Sequence, residues 1–209
     1  MTRTRAIPEP SALTPSAERI CAAAVTHFAD AGYDGSSLTT IGALAGMRKA
    51  SLYAHFANKD ALFAEVLAIA IREELRAARD SFDAAPSHGL PGGEYLAGLE
   101  PRYAASAHYR FLLRTVYAPP AALREEIIAA YRGFEDAIRE LFVRALPEAL
   151  SPQRAETLTH AYLGVIDSLQ VELVFHSPEA YAARRAALWA VLGSYADAAL
   201  GEAGTSASR

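Results

Sequence analysis

Apolar residues recur at spacings of three and four along most of the chain, and the strict alternation typical of a half-buried strand is not found. The first apolar stripe follows Thr14-Pro15, a hydroxyl residue and a proline that suit the start of a helix. It carries Ile20 and Phe28 and ends at Gly32, which suits a helix C-terminus. Later helical stripes cover about 121–146, 151–176 and 178–200. The pattern predicts an all-α protein of eight to ten helices.

Two much shorter helices follow the first one. Ser37 can cap a short helix that ends at Gly46, and another short helix begins only two or three residues later. Asn58 can then cap a long fourth helix. A short helix, a tight turn at glycine and a second short helix form the geometry that lets one helix enter the major groove of DNA while the other braces it. This segment predicts a helix-turn-helix from Ser37 to Phe56.

The stretch SFDAAPSHGLPGG, residues 81–93, holds three glycines and two prolines and marks the main boundary in the chain. On this basis we predict five segments: a flexible arm (1–13), a helix-turn-helix DNA-binding domain (14–58), a connecting helix (59–80), a helical regulatory and dimerisation domain (81–200) and a disordered tail (201–209).

The composition restricts the class of protein. Of the 209 residues, 52% are hydrophobic and 21% are charged, which is enough apolar material for a packed core. The chain has no apolar run long enough to cross a membrane and no apolar N-terminal signal segment, so we expect a cytoplasmic protein without a membrane partner. Cys21 is the only cysteine and is expected to be a structural thiol. We expect neither a metal site nor a cofactor.

The charge is unevenly distributed. The whole chain has a net charge of −4, yet its first 60 residues hold six basic and five acidic side chains. Both lysines of the chain, Lys49 and Lys59, lie in or next to the predicted helix-turn-helix. Arg3 and Arg5 can either enter a minor groove or belong to an unbound arm. The charge therefore favours DNA contact at the N-terminal end and contact with a protein or a small molecule elsewhere.

The segment SLTTIGALAGMRKASLYAHFANKDALF, residues 37–63, resembles the DNA-binding motif of the TetR family of transcriptional regulators. The resemblance extends over about residues 15–65 and includes the family's pattern of alanine, phenylalanine and Gly-Tyr in the first helix, here Ala24 to Tyr33. It implies an N-terminal three-helix DNA-binding domain, a larger helical domain for ligand binding and dimerisation, and a homodimer that reads a palindromic operator in double-stranded DNA. It also implies a repressor that a small hydrophobic or aromatic effector releases.

The same resemblance implies roles for individual residues. Ser37 caps the bracing helix, Thr39 and Thr40 lie near phosphates, and Lys59 holds the DNA backbone. Base edges are read by Lys49, Ala50 and Ser51, while Tyr53 and His55 bind phosphates. Three positions depart from the family pattern: Gly42 replaces alanine, Arg48 replaces a serine or threonine cap and can contact a phosphate or a guanine, and Ala54 replaces an aromatic residue.

Two further sets of residues are predicted in the C-terminal part. The expected dimer interface lies on the last two helices and comprises Tyr162, Val165, Leu169, Leu173, Leu188, Trp189, Leu192 and Tyr195. The expected effector pocket combines aromatic side chains with polar groups on one helix face: Tyr103, Tyr109, Phe111, Tyr131, Phe134, His160, Asp167 and Gln170. Either set can instead be core packing.

Two alternative functions remain open on the sequence. One is a small helical enzyme that uses His160 and Asp167, or His108, as acid–base groups, although no catalytic motif accompanies them. The other is a DNA-binding regulator that acts as an activator or has no small-molecule effector.

Overall fold

The computed structural model of the chain describes residues 13–84, 90–175 and 178–206, with side chains up to residue 201. These residues form nine α-helices and one 3₁₀ turn, which confirms the all-α prediction. The helices are α1 (Pro15–Ala31), α2 (Leu38–Leu44), α3 (Lys49–His55), α4 (Lys59–Asp83), α5 (Gly93–Ala105), α6 (Ala107–Tyr117), α7 (Arg124–Ala145), α8 (Pro152–Phe175) and α9 (Pro178–Ser206), and the 3₁₀ turn Ala121–Leu123 precedes α7.

The predicted helix caps form by the expected hydrogen bonds. Thr14, Ser37 and Asn58 each accept a backbone N–H three residues further on, at 3.2, 3.0 and 2.8 Å. Gly32 and Gly46 have φ angles of 72° and 65°. Because this left-handed conformation is costly for other residues, the two glycines allow the chain to leave α1 and the end of α2 sharply.

Two helix ends are decided by local features. The break between α5 and α6 occurs at Ser106, whose hydroxyl accepts the N–H of Tyr109 at 3.2 Å and caps α6. Pro101 itself lies within α5. At the C-terminus, α9 continues to Ser206, so residues 201–206 are helical rather than part of a disordered tail. Arg3, Arg5 and the last three residues lie outside the described residues.

The chain divides into two compact units, each made of discontinuous segments: Met1–Leu75 with Tyr103–Phe134, and Arg76–Arg102 with Glu135–Arg209. The linear pattern did not indicate this partition, and the predicted functional boundaries remain a prediction.

In the first unit, α1 packs along α6, and three phenylalanines form the centre of the core. The ring of Phe63 lies 5.0 Å from those of both Phe28 and Phe111, in edge-to-face contacts. Arg114 of α6 also donates to the carbonyl oxygens of Ala29 and Asp30, both at 3.2 Å. Since the last carbonyls of a helix have no partner within it, this arginine completes the C-terminus of α1.

In the second unit, α8 packs against α9, and Tyr162 of α8 lies at the centre of the core. Its ring is stacked on Phe142, with centroids 4.1 Å apart, and its hydroxyl donates to the carbonyl oxygen of Gly92 at 3.0 Å. Burial raises the pKa of Tyr162, so this hydroxyl stays a donor. Tyr181 of α9 likewise donates to the carbonyl oxygen of Leu96 at 2.9 Å. These two hydrogen bonds tie the start of α5 to α8 and α9.

Candidate nucleic-acid interface

The angle between α2 and α3 is fixed by buried apolar side chains. Ile41 of α2 and Leu52 of α3 are fully buried, and Phe56 closes the end of α3. Gly42 faces Leu52 so closely that a Cβ atom there would lie 3.3 Å from its Cδ1. The absence of a side chain at Gly42 therefore lets the two helices approach, which gives this departure from the family pattern a structural reason.

The outer face of α3 is exposed and polar. Leu52 anchors the helix, while the side chains around it point to solvent: Arg48, Lys49, Ala50, Ser51, Tyr53, Ala54 and His55. The ammonium of Lys49 lies 5.8 Å from the centroid of the Tyr53 ring. Arg48 precedes the helix without capping it, because a guanidinium has no acceptor, and its side chain is exposed to solvent.

At the start of α2, three hydroxyl residues are exposed but differ in their bonding. The Ser37 hydroxyl caps the helix, and it also lies 2.8 Å from the hydroxyl of Thr40. Thr39 is exposed on the next position of the helix. Ser37 therefore has the predicted capping role, and the phosphate contacts of Thr39 and Thr40 stay a prediction.

Lys59 differs from the predicted phosphate contact because its ammonium points into the protein. The Nζ atom donates to the carbonyl oxygens of Tyr33 and Ser36, at 2.9 and 3.1 Å, and lies 3.8 Å from the centroid of the Tyr33 ring. The Tyr33 hydroxyl is hydrogen-bonded to Asp60. Burial, and then this bond, raise the pKa of Tyr33 to about 12. Two of the three ammonium donors of Lys59 are thus already used within the protein.

The residues predicted for the effector pocket are not brought together in one unit. The five aromatic residues belong to the first unit and the three polar residues of α8 to the second. Phe111 is part of the phenylalanine core. The ring centroids of Tyr109 and Tyr103 are 6.2 Å apart, and those of Phe134 and Tyr131 are 5.8 Å apart. These aromatic residues have packing partners in their own unit, and a pocket that they share with the polar residues of α8 stays a prediction.

The polar residues of α8 also do not share an inward face. The His160 side chain is 63% exposed and lies 4.0 Å from Glu156, and Asp167 is exposed, whereas Gln170 is buried. The physical reason is that ten residues of helix leave Gln170 about 80° away from His160 around the axis. His108, on α6, is half-buried, and burial lowers its pKa.

Several predicted interface residues are buried within one chain. Tyr162 and Leu169 are fully buried, and Leu173 is also buried, so these three are core residues. Trp189 packs against Gly93, where a Cβ atom would lie 2.9 Å from the indole ring. The other four predicted residues border a shallow apolar groove between α8 and α9: Val165, Leu188, Leu192 and Tyr195. Of these, Val165 and Leu192 are themselves buried.

The second unit also contains a cavity of about 360 Å³ that the sequence analysis missed. Its wall is formed by the end of α4, residues 90–94, Leu96, Ala97, Ala145 and one face of α9, and it is mainly apolar. Arg185 and Trp189 reach it from α9, and Glu94 reaches it from α5. In the sequence, the features that could have indicated this cavity were the Gly92-Gly93 pair and the single tryptophan, because glycine permits the close approach of large rings.

Within the described ranges, no group of three or more His, Cys, Asp or Glu side chains could hold a metal ion. No helix in the described part of the chain combines the length and apolar character needed to span a membrane.

The packing of α1 to α3 and the exposed face of α3 define an all-α protein with a helix-turn-helix. Residues 20–66 match the family model of "Bacterial regulatory proteins, tetR family". The N-terminal part of the chain is therefore a TetR-family domain, and the resemblance found in the sequence is confirmed. No curated protein sequence matches the chain significantly.

Solved structures extend the similarity of the fold beyond this domain. A transcriptional regulator from Aquifex aeolicus VF5 is 22% identical, with 85% of this chain and 98% of that chain covered and a TM-score of 0.62. A cysteine mutant of the TetR family regulator CifR, in complex with a 26-base-pair operator, is 24% identical over 91% and 99% of the chains, with a TM-score of 0.57. SmeT in complex with triclosan is 21% identical over 85% and 91%, with a TM-score of 0.57. The whole chain thus has the fold of TetR-family transcriptional regulators.

Proposed function

We propose that this protein is a sequence-specific DNA-binding repressor that acts as a homodimer on a palindromic operator. The observation that carries the proposal is the exposed polar face of α3, which surrounds a fully buried Leu52. A helix that is anchored on one side and offers short hydrogen-bonding and basic side chains on the other suits the major groove. The operator complex of CifR, which shares the fold, supports the same mode of binding.

The groove between α8 and α9 is the surface that we assign to dimerisation. It is lined by small residues such as Ala161 and Gly164 and by large apolar ones such as Leu188 and Tyr195. Val191 at its edge is 67% exposed, an unusual exposure for valine. Two such helices from each of two copies would form a four-helix bundle, in which small residues allow close packing and Val191 is removed from water.

We further propose that a small hydrophobic or aromatic effector binds the second unit and releases the operator. The mainly apolar cavity in that unit supports this part of the proposal. The triclosan complex of SmeT is an example of an aromatic ligand bound to a protein of this fold. Release requires that the effector bind more tightly to a conformation with low operator affinity.

DNA recognition is tested by selecting bound sequences from random duplexes with the full-length protein. We expect a palindrome with half-sites about one or more helical turns apart. Lys49→Ala and Ser51→Ala should change the selected sequence, whereas Tyr53→Ala should weaken binding to all duplexes alike. Arg132→Gln, a change at an exposed position of α7, is the control for loss of a positive charge. Selection of no common sequence would refute sequence-specific binding.

Dimerisation is tested by sedimentation equilibrium of Val191→Glu. The carboxylate would be buried without a partner in the proposed bundle, so we expect a monomer with reduced operator affinity. Val143→Glu is the matched control, because Val143 is 48% exposed on α7 and lies outside the groove. A dimer that Val191→Glu leaves intact would show that another surface joins the two copies.

A further inference from the structure

We propose that the cavity of the second unit binds a small apolar or aromatic carboxylate, with Arg185 pairing with the acid group and Trp189 packing against the apolar part. This inference deepens the proposed function and rests on it for the role of the ligand as effector. The binding itself can be measured without DNA.

The walls of this cavity are held in place before any ligand arrives. The Tyr162 and Tyr181 hydroxyls bond to the backbone of Gly92 and Leu96 at the start of α5. The indole of Trp189 rests on the backbone of Gly93. A preformed wall reduces the entropy that must be lost on binding, so even a small ligand can bind specifically. A volume of about 360 Å³, near the small end of known ligand sites, suits a ligand of one ring or a short chain.

The charges at the cavity favour an acid over an amine. Arg185 is half-exposed and forms no ion pair with the described residues, whereas its neighbour Arg184 is paired with Glu172 at 2.6 Å. Glu94 also borders the cavity, but it already has an interaction partner of its own. The guanidinium of Arg185 is therefore the charge that is left to a ligand. Its planar set of donors matches a carboxylate in a bidentate pair.

The apolar part of the ligand is recognised by Trp189, Leu96 and the end of α4. The indole ring, with Phe82 and Leu96, provides a continuous apolar wall, and Ala97 and Ala186 leave space between the helices. A ligand with one charged end and one apolar body would remove this wall from water while its acid group stays near the half-exposed Arg185. An uncharged ligand of equal shape would gain only the first of these contributions.

The test uses the fluorescence of Trp189, which is the only tryptophan in the chain and lies at the cavity. The full-length protein is titrated with phenylacetate, phenylacetamide and 2-phenylethylamine, which share a ring and differ in charge. We expect phenylacetate to bind about tenfold more tightly than phenylacetamide, the size of effect that one partly exposed charge-assisted pair gives, and the amine to bind most weakly. Octanoate serves as an acid without a ring and should also bind.

Two variants locate the site. Arg185→Gln should weaken phenylacetate binding about tenfold and leave phenylacetamide binding unchanged. Arg132→Gln loses the same charge at a position outside the cavity, so it should change the affinity for neither phenylacetate nor phenylacetamide. Ala186→Leu fills the cavity and should weaken the binding of both probes. Melting curves of each variant ensure that the folded protein is compared.

Three results would overturn the inference: no fluorescence response to millimolar phenylacetate, equal affinity for acid and amide, or an Arg185→Gln variant that behaves like Arg132→Gln. These outcomes are independent of the proposed function, since the affinity for a selected duplex is measured on the same preparations. Intact duplex binding with no ligand binding would overturn the carboxylate site alone. Ligand binding that leaves the duplex affinity unchanged would retain the site and refute its role in operator release.

Discussion

Replacing Lys59 by alanine removes an ammonium group that joins the start of α4 to the loop between α1 and α2. In the structure this group donates to two backbone carbonyls, of Tyr33 and Ser36, and lies over the Tyr33 ring. The sequence motif alone implies that Lys59 contacts a phosphate. The geometry leads to a different expectation: the variant should lose stability, while the salt dependence of its DNA binding should stay unchanged.

The size of the effect follows from the contacts. A hydrogen bond from a charged donor contributes about 1.5–3 kcal/mol when well buried, and the half-exposed position of Lys59 reduces this to about 1 kcal/mol for each bond. The cation–π contact adds about 0.5–1 kcal/mol. Removing a cation from the first turn of α4 raises the free energy of unfolding by about 0.5 kcal/mol, because the helix dipole disfavours positive charge there. The net loss is about 2 kcal/mol, or roughly 4–8 °C in Tm for a chain of this size.

The assay combines thermal unfolding, followed by circular dichroism, with duplex binding at several salt concentrations. Lys49→Ala is the matched control, because Lys49 is the only other lysine and is exposed on α3. It should leave Tm unchanged and change the preferred duplex sequence, because Lys49 is proposed to read base edges. If Lys59→Ala instead kept its Tm and lost about one unit of slope, Lys59 would be a phosphate contact and the reasoning from its hydrogen bonds would be wrong.

Three other predictions concern side chains within the two units. Arg114→Met should lower the free energy of unfolding by about 1 kcal/mol, because the last carbonyls of α1, including that of Ala29, lose their donor. A denaturant midpoint equal to that of the parent protein would contradict this prediction. Burial, and then the nearby charge of Glu65, raise the pKa of Cys21 to about 12, so the folded protein should not react with Ellman's reagent at pH 8. Rapid labelling of the native protein would show an accessible thiol and contradict this. Because the raised pKa favours the neutral thiol, the contribution of Cys21 to stability is complete below a pH of about 8.5, the pKa of an unfolded thiol, and is lost as the pH rises towards 12. Tyr162→Phe leaves the buried carbonyl of Gly92 without its donor and should lower Tm by roughly 2–8 °C, an effect of about 1–2 kcal/mol, with duplex affinity unchanged. An equal or higher Tm in calorimetry would show that this bond does not stabilise the fold.

The local features of the DNA-binding end could be predicted from the sequence because they depend on neighbours in the chain. The caps at Thr14, Ser37 and Asn58 and the left-handed glycines at 32 and 46 are decided within three or four residues. The exposure of the α3 face follows from the same periodicity that buries Leu52. The residues that we propose to lie near DNA therefore follow from the motif, whereas the hydrogen bonds of Lys59 follow from the fold.

The functional residues of the C-terminal part could not be predicted in this way. An apolar stripe shows that a helix face is buried, but not whether a helix of the same chain, a second copy or a ligand covers it. Tyr162 and Val165 belong to the same stripe and are both buried, yet Tyr162 packs on Phe142 in the core and Val165 borders the groove. Periodicity gives the direction of a side chain around its own helix and contains no information about the partner.

The sequence by itself therefore determined the helical class, the helix starts and the helix-turn-helix, since each depends on short-range spacing and capping. Only the tertiary structure decided where the charges and aromatic rings meet. It turned the ammonium of Lys59 inward to two carbonyls, placed Phe111 in the core, and brought Arg185 and Trp189 to one cavity beside Gly93. These arrangements join residues that are far apart in the chain. Their geometry follows from the packing of whole helices, in which every close contact depends on the volumes of the side chains around it.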